Sequence, residues 1–256
     1  MKGNGETQLS YRLLLAVDIQ GYSKRDTREQ LAAQRSLSDA LDRAAMGAGL
    51  DRARWDKQVG GDGELATLPD GTDPATVAGD FVIGLAAELR DLNAAAAAAE
   101  SPDAGSLDAG AADGGSAGAG GAGGRRLRVR LSLHHGTLTA GPFGPAGDAP
   151  IVVQRLLDAA PLRRLLADDA DRDLVYAVSD SLFEDVVRTG FCALPPEAFQ
   201  PIKVTAKGAA FRGHILTGRA ARRGRRDGGA AGDSGGPGDR PAPGARVLDF
   251  PALAVH

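Results

Sequence analysis

Residues 11–19 (YRLLLAVDI) form a near-continuous apolar run rich in branched side chains. Such a run is the mark of a strand buried on both faces, which requires a sheet covered on each side. It ends at an acidic residue, Asp18, followed by Gln20 and Gly21. Asp26 and Thr27 can then cap a helix expected over 27–46, where Leu31, Leu37 and Leu41 recur at helical spacing. A short strand at 54–59 meets Gly60-Gly61-Asp62-Gly63, a tight-turn signal, and 64–68 runs back, so these pieces read as a β-hairpin. Asp73-Pro74 opens a second helix with Val77, Phe81, Leu85 and Leu89 on one face.

Further along, 126–134 (RLRVRLSLH) alternates basic and apolar residues, as a strand with one solvated face should. The order is β-α-β-β-α-β, which predicts an α+β, ferredoxin-like palm. A helix near 150–166, a strand at 174–179, a helix at 180–189 and extended segments ending in 211–216 add a C-terminal α/β extension. No internal repeat is visible.

Two stretches lack the apolar residues needed to offset the entropy of ordering. Residues 94–124 are dominated by Ala, Gly, Ser and Asp, and 219–246 by Gly, Arg, Pro and Asp; both read as disordered. The expected organisation is therefore a flexible 1–9, one domain over 10–217 interrupted by the 94–124 insert, and a disordered tail at 218–245. A short apolar peptide, 246–256 (RVLDFPALAVH), ends the chain. That peptide could dock a protein partner or fold back on its own domain.

The formal net charge of -3 argues against non-specific nucleic-acid binding, and Arg222, Arg223, Arg225 and Arg226 read as a solvated run in the tail. One cysteine, Cys192, leaves neither a disulfide framework nor a cysteine-based metal site. No segment has the apolar length of a membrane span and 1–10 has no apolar core region, so the cytoplasm is the expected compartment.

Asp18 ends a buried strand, and Asp62 sits at the turn of the hairpin expected to pair beside it. Two close carboxylates repel unless a cation lies between them, and Mg²⁺ favours one or two carboxylates plus substrate phosphates. Ions held so could activate a hydroxyl and stabilise a leaving group in phosphoryl transfer. On spacing alone, an ordinary strand-end Asp and an ordinary turn Asp fit equally well.

Three segments bring in a family. LLAVDIQGYSKRD resembles the first strand and loop of class III adenylate and guanylate cyclases, of the type LFADIxGFT. KQVGGDGELATLP resembles their metal hairpin, KxIGDGxLAxF, and RVRLSLHHGTLTAG their fourth strand, RIGIHxGxVxxG, with His134, Gly136 and Gly141 in register. The motifs occur in the family's order, across nearly all the foldable chain. The resemblance implies a head-to-tail homodimer in which two metal-bound Asp residues position a nucleoside triphosphate. Its 3′-hydroxyl then attacks the α-phosphate, giving a 3′,5′-cyclic nucleotide and pyrophosphate. It implies Mg²⁺ or Mn²⁺ on Asp18, Asp62 and the backbone carbonyl of Ile19. Arg155 takes the place of the transition-state Arg, and Lys207, with Lys203 as a rival, that of the triphosphate-binding Lys.

The base-and-ribose half departs from the pattern. In GDAPIVVQRLLDA the ribose-orienting Asn position holds Ile151. The purine-reading Lys position is Gln58, with Lys57 adjacent, and the second base-reading position falls at or near Gly144, with Asp148 close but out of register. GGDGE also resembles the GGDEF signature of cyclic-di-GMP synthases, but RVRLSLHHGTLTAG has no counterpart there. His134-His135, without Cys or Glu partners, reads as structural, and Trp55 as packing. Two functions follow: a divergent cyclase-like domain that binds Mg²⁺ and a nucleoside triphosphate and cyclises it slowly, or a catalytically degenerate domain used for dimerisation, nucleotide sensing or signalling interactions.

Overall fold

β1 (Ser10–Ile19) is buried on both faces from Leu13 onward, while Tyr11 near its start is exposed. Leu13, Leu15, Val17 and Ile19 belong to one apolar cluster, and Leu14 and Ala16 to another on the opposite side. It lies inside an eight-stranded sheet together with β2 (Asp56–Val59), β3 (Gly63–Thr67), β4 (Val129–Gly141), β5 (Gly144–Ala146), β6 (Leu174–Ser179), β7 (Phe199–Ala206) and β8 (Ala209–Leu216). The order is β2-β3-β1-β4-β6-β8-β7, with β5 paired to β4. The pairs are antiparallel except β4–β6, which is parallel. The α+β palm and its extension are thus present in this computed structural model, which describes residues 8–100, 125–206, 208–218 and 220. The 246–256 peptide, 101–124, most of the tail and Lys207 lie outside the described residues.

α1 (Thr27–Gly47) starts with a capping box. The Asp26 carboxylate accepts from the Glu29 N–H at 2.8 Å, and the Asp26 N–H donates to the Glu29 carboxylate at 2.9 Å. Its buried stripe is Ala33, Leu37, Ala40, Leu41, Ala44 and Ala45, while Leu31 is 47% exposed. Leu31 precedes Leu37 by six residues, which turns it away from that stripe. α2 (Pro74–Thr76) passes through a π-helical turn, Val77–Phe81, into α3 (Val82–Glu100). Val77, Phe81, Leu85 and Leu89 are all fully buried against the sheet and α1.

Three expectations are corrected. α3 runs on through 94–100, into the stretch read as insert, because consecutive alanines are the strongest helix formers. The helix expected at 150–166 is two, α4 (Asp148–Leu157) and α5 (Ala160–Asp168), broken just before Pro161, which has no N–H to continue the ladder. The basic face of β4 is not solvated. α4 packs on it, Ser132 is buried with its hydroxyl donating to the Val153 carbonyl at 2.8 Å, and Arg130 is largely enclosed. On the extension, α6 (Asp180–Leu182), capped by the Ser179 hydroxyl, continues into a second π-helical turn, Phe183–Val187.

Gly63 begins β3 opposite Asp18. A Cβ there would lie 1.9 Å from the Val17 carbonyl oxygen, so only glycine lets the hairpin close onto the end of β1. Gly63→Ala is expected to destabilise the fold by about 3 kcal/mol or more in urea denaturation. Gly47→Ala, with nothing within 4 Å at the end of α1, should leave stability unchanged or slightly raised.

Candidate functional site

The register of the sheet puts Asp18 between Gly63 on one neighbour and Arg130 on the other. Residues directly opposite in an antiparallel pair share a face, so Asp18 and Arg130 point together toward α4. Arg130 Nε donates to Asp18 Oδ1 at 2.8 Å, and Arg130 Nη2 donates to Asp18 Oδ2. Both carboxylate oxygens are therefore held by one guanidinium, with about 13% and 12% of the two side chains exposed. Arg130 Nη1 is buried and has no hydrogen-bond partner among the described residues.

Burial pushes the Asp18 carboxyl up to about 6; Arg130 pulls against this, and the negative charges of Asp62 and Asp158 add to the rise. Asp62 lies in the β2–β3 turn, where its carbonyl accepts from the Ile19 N–H at 2.8 Å. Asp18, Gln58, Asp62, Arg130, Gln154 and Asp158 line one crevice of about 480 Å³. With Glu64 already paired to Arg52, the crevice carries more carboxylate than guanidinium.

The pleat of β2 separates two residues predicted for one site. Gln58 faces this crevice, whereas Lys57 lines a different one of about 350 Å³ with Ile19, Gln34 and Arg52, and its Nζ donates to the Arg52 carbonyl at 3.4 Å. Asp62 borders both crevices. Gln58 Nε2 donates to the Phe143 carbonyl at 2.7 Å, which orients the amide, since a carbonyl can only accept. Gly144 (φ 116°) lies against that amide, and a Cβ there would sit 2.9 Å from its oxygen. Gln58 thus ties the β2–β3 hairpin to the β4–β5 hairpin. On α4, Gln154, Leu157 and Asp158 face the Asp18 crevice; half-buried Arg155 is not among its lining residues, and Ile151 is 48% exposed.

Sequence reasoning missed Arg130, Gln154 and Asp158. Arg130 was hidden by an alternating pattern that looked solvated. The signal that could have found it is register, since it stands directly across from Asp18.

Among the described residues, no group of three or more His, Cys, Asp or Glu side chains is placed to hold a metal ion. Asp18 and Asp62 are hard oxygen donors of the kind Mg²⁺ or Mn²⁺ takes. Their arrangement does not fit one, because both Asp18 oxygens are engaged by Arg130.

No protein-family profile matches this chain, and no curated protein matches it in sequence. Solved structures do match. The guanylyl cyclase Cya2 superposes with a TM-score of 0.53 at 12% identity, over 87% of this chain and 97% of that one. The adenylyl cyclase CyaB from P. aeruginosa gives 0.51 at 15%, over 88% and 100%. A rhodopsin-guanylyl cyclase core in complex with ATPalphaS gives 0.50 at 15%, over 84% and 99%. The fold is that of nucleotidyl cyclase catalytic domains. At these identities the likeness concerns the fold alone.

The histidines of β4 are held within the cyclase-like fold. His134 Nδ1 is 2.8 Å from the Ser179 hydroxyl, and His135 Nε2 is 3.2 Å from Asp185. Burial, with the neighbouring His135, lowers His134 to about 4. A histidine lowered in the fold keeps its full contribution above the unfolded value near 6.5 and loses it as pH falls toward 4. Asp18, raised in the fold, acts oppositely, its contribution falling as pH climbs from about 4 to 6. Urea titrations from pH 7 to 4.5 should therefore show a shallower acid loss for His134→Gln than for the parent chain; an unchanged slope would remove His134 as a source of acid sensitivity.

Proposed function

We propose that this chain is a divergent class III nucleotidyl cyclase-like domain that binds a nucleoside triphosphate at the Asp18–Asp62–Arg130 crevice and turns it over slowly. The observation that carries this reading is positional. On a cyclase-type palm, the end of β1, the β2–β3 turn and β4 converge, and those segments carry the three motifs that resemble the family. Mg²⁺ or Mn²⁺ and a head-to-tail homodimer belong to the same reading. The excess of carboxylate in the crevice repels a bare triphosphate, so a nucleotide would have to arrive with its charge offset. Arg155, turned away from its own chain's crevice, is consistent with a role in a second copy's site.

A second reading, a nucleotide-sensing or dimerisation module without turnover, has its own support. Gln58 is spent on the Phe143 carbonyl, and Ile151, at the ribose-orienting position, has no group that can hydrogen-bond a hydroxyl. Loss of such orientation costs several kcal/mol of barrier.

The test is incubation with Mn²⁺ or Mg²⁺ and each of ATP, GTP, CTP and UTP, reading pyrophosphate and cyclic nucleotide. The expected result is slow cyclic product that falls by about 100-fold or more in Asp18→Ala. Nucleotide-dependent thermal stabilisation without product would favour the sensing module. Neither product nor stabilisation would sink both.

A further inference from the structure

We propose that Arg130 is a built-in counter-ion that closes the Asp18 position to divalent cations, so that the resting chain admits Mg²⁺ or Mn²⁺ there only when the guanidinium leaves. The inference deepens the functional reading above, which requires a cation that the site as folded does not fit.

A carboxylate at the end of a buried strand must be neutralised, and among the described residues lining the crevice Arg130 is the one cation for the purpose. Arg130 meets both oxygens of Asp18 at once, with Nε and Nη2 forming the fork that matches a carboxylate. A metal ion on Asp18 needs at least one of those oxygens, and a guanidinium left in contact would repel it. Asp62 and Asp158, which border the same crevice, make it attractive to cations overall. The bond to Arg130 therefore decides whether Asp18 can act on that attraction. Arg130 is also poised to leave, because its buried Nη1 lacks a partner among the described residues and gives the guanidinium less to lose than a fully bonded one. Arg52, which holds Glu64 in the same hairpin, also leaves a buried nitrogen, Nε, without a partner among the described residues, but a second carboxylate, Asp42, holds it in place.

The experiment measures Mn²⁺ binding to the full chain without nucleotide, by electron paramagnetic resonance and calorimetry at pH 7.5. Arg130→Gln should bind at least about tenfold tighter than the parent chain, an effect of only ~1.4 kcal/mol. Arg130→Lys, a point charge that cannot grip both oxygens, should fall between them. Adding Asp18→Asn to Arg130→Gln should abolish the gain. Equal affinity in parent and Arg130→Gln, or a gain that survives Asp18→Asn, overturns the proposal. Thermal unfolding of the same samples covers a poorly folding variant. Mn²⁺ should raise the melting temperature of Arg130→Gln and leave the parent nearly unmoved; the absence of that difference also overturns it. The outcome separates from the functional reading. A tighter Mn²⁺ site in a chain that never binds or cyclises nucleotide keeps the counter-ion and loses the cyclase-like function. Cyclic product with no change in Mn²⁺ affinity does the reverse.

Discussion

The hydrogen bonding of β1 to β3 on one side and β4 on the other determines where Asp18, the Asp62 turn and Arg130 stand. Its last residues meet the hairpin turn and the start of β4 together, so Asp18 cannot be displaced without moving Gly63 or Arg130. In most antiparallel sheets register is set by apolar residues facing inward and polar ones outward. That device is weak in β1, where Leu13 to Val17 are buried on both faces. A one-residue slip would still bury leucines, but it would turn Asp18 into the cluster of Leu37, Leu41 and Phe81, with no cation to meet it. The ion pair with Arg130 thus supplies the register that hydrophobic alternation supplies elsewhere.

The same pair is expensive to keep. Two charged groups nearly removed from water lose hydration that their attraction only partly restores, and removing one partner typically costs about 3–5 kcal/mol because the other is left uncompensated. Asp62 and Asp158 sharpen the imbalance by opposing ionisation of Asp18. Asp158 also caps the C-terminal end of α4, where a helix dipole disfavours a carboxylate. A fold governed by stability alone would favour apolar residues at these positions. Their concentration at one crevice, beside glycines that let backbone approach backbone, is the kind of local cost that accompanies a functional site.

Much of this was legible because it follows from local rules. The run at 11–19 carried the mark of a doubly buried strand, the glycines around Asp62 that of a turn, and Asp26 with Thr27 announced the start of α1. The illegible parts depend on tertiary context. Arg130 lies on a strand whose basic–apolar alternation is what a solvated face looks like, and only the packing of α4 changes its meaning. Lys57 and Gln58 are adjacent in sequence yet fall in different crevices, since neighbours on a strand point to opposite faces. The alanines at 94–99 illustrate a conflict of rules, in which composition suggested disorder and helix propensity prevailed next to a well-packed helix.

Gln58, Gly144 and Ile151 differ in kind from Asp18, Asp62 and Arg130. Gln58 uses its amide to join two hairpins, and Gly144 is shaped to let it do so. These contacts stabilise the chain itself and leave little with which to distinguish one base from another. The charged group, by contrast, lines a crevice, with Arg130 holding a carboxylate that its neighbours would otherwise repel. On the proposed reading, discrimination between nucleotides is therefore weak, because long-range charge recognises a cation-bound triphosphate without regard to the base. Specificity would then have to come from what moves Arg130, because that guanidinium alone stands between Asp18 and the attraction of the crevice for a cation.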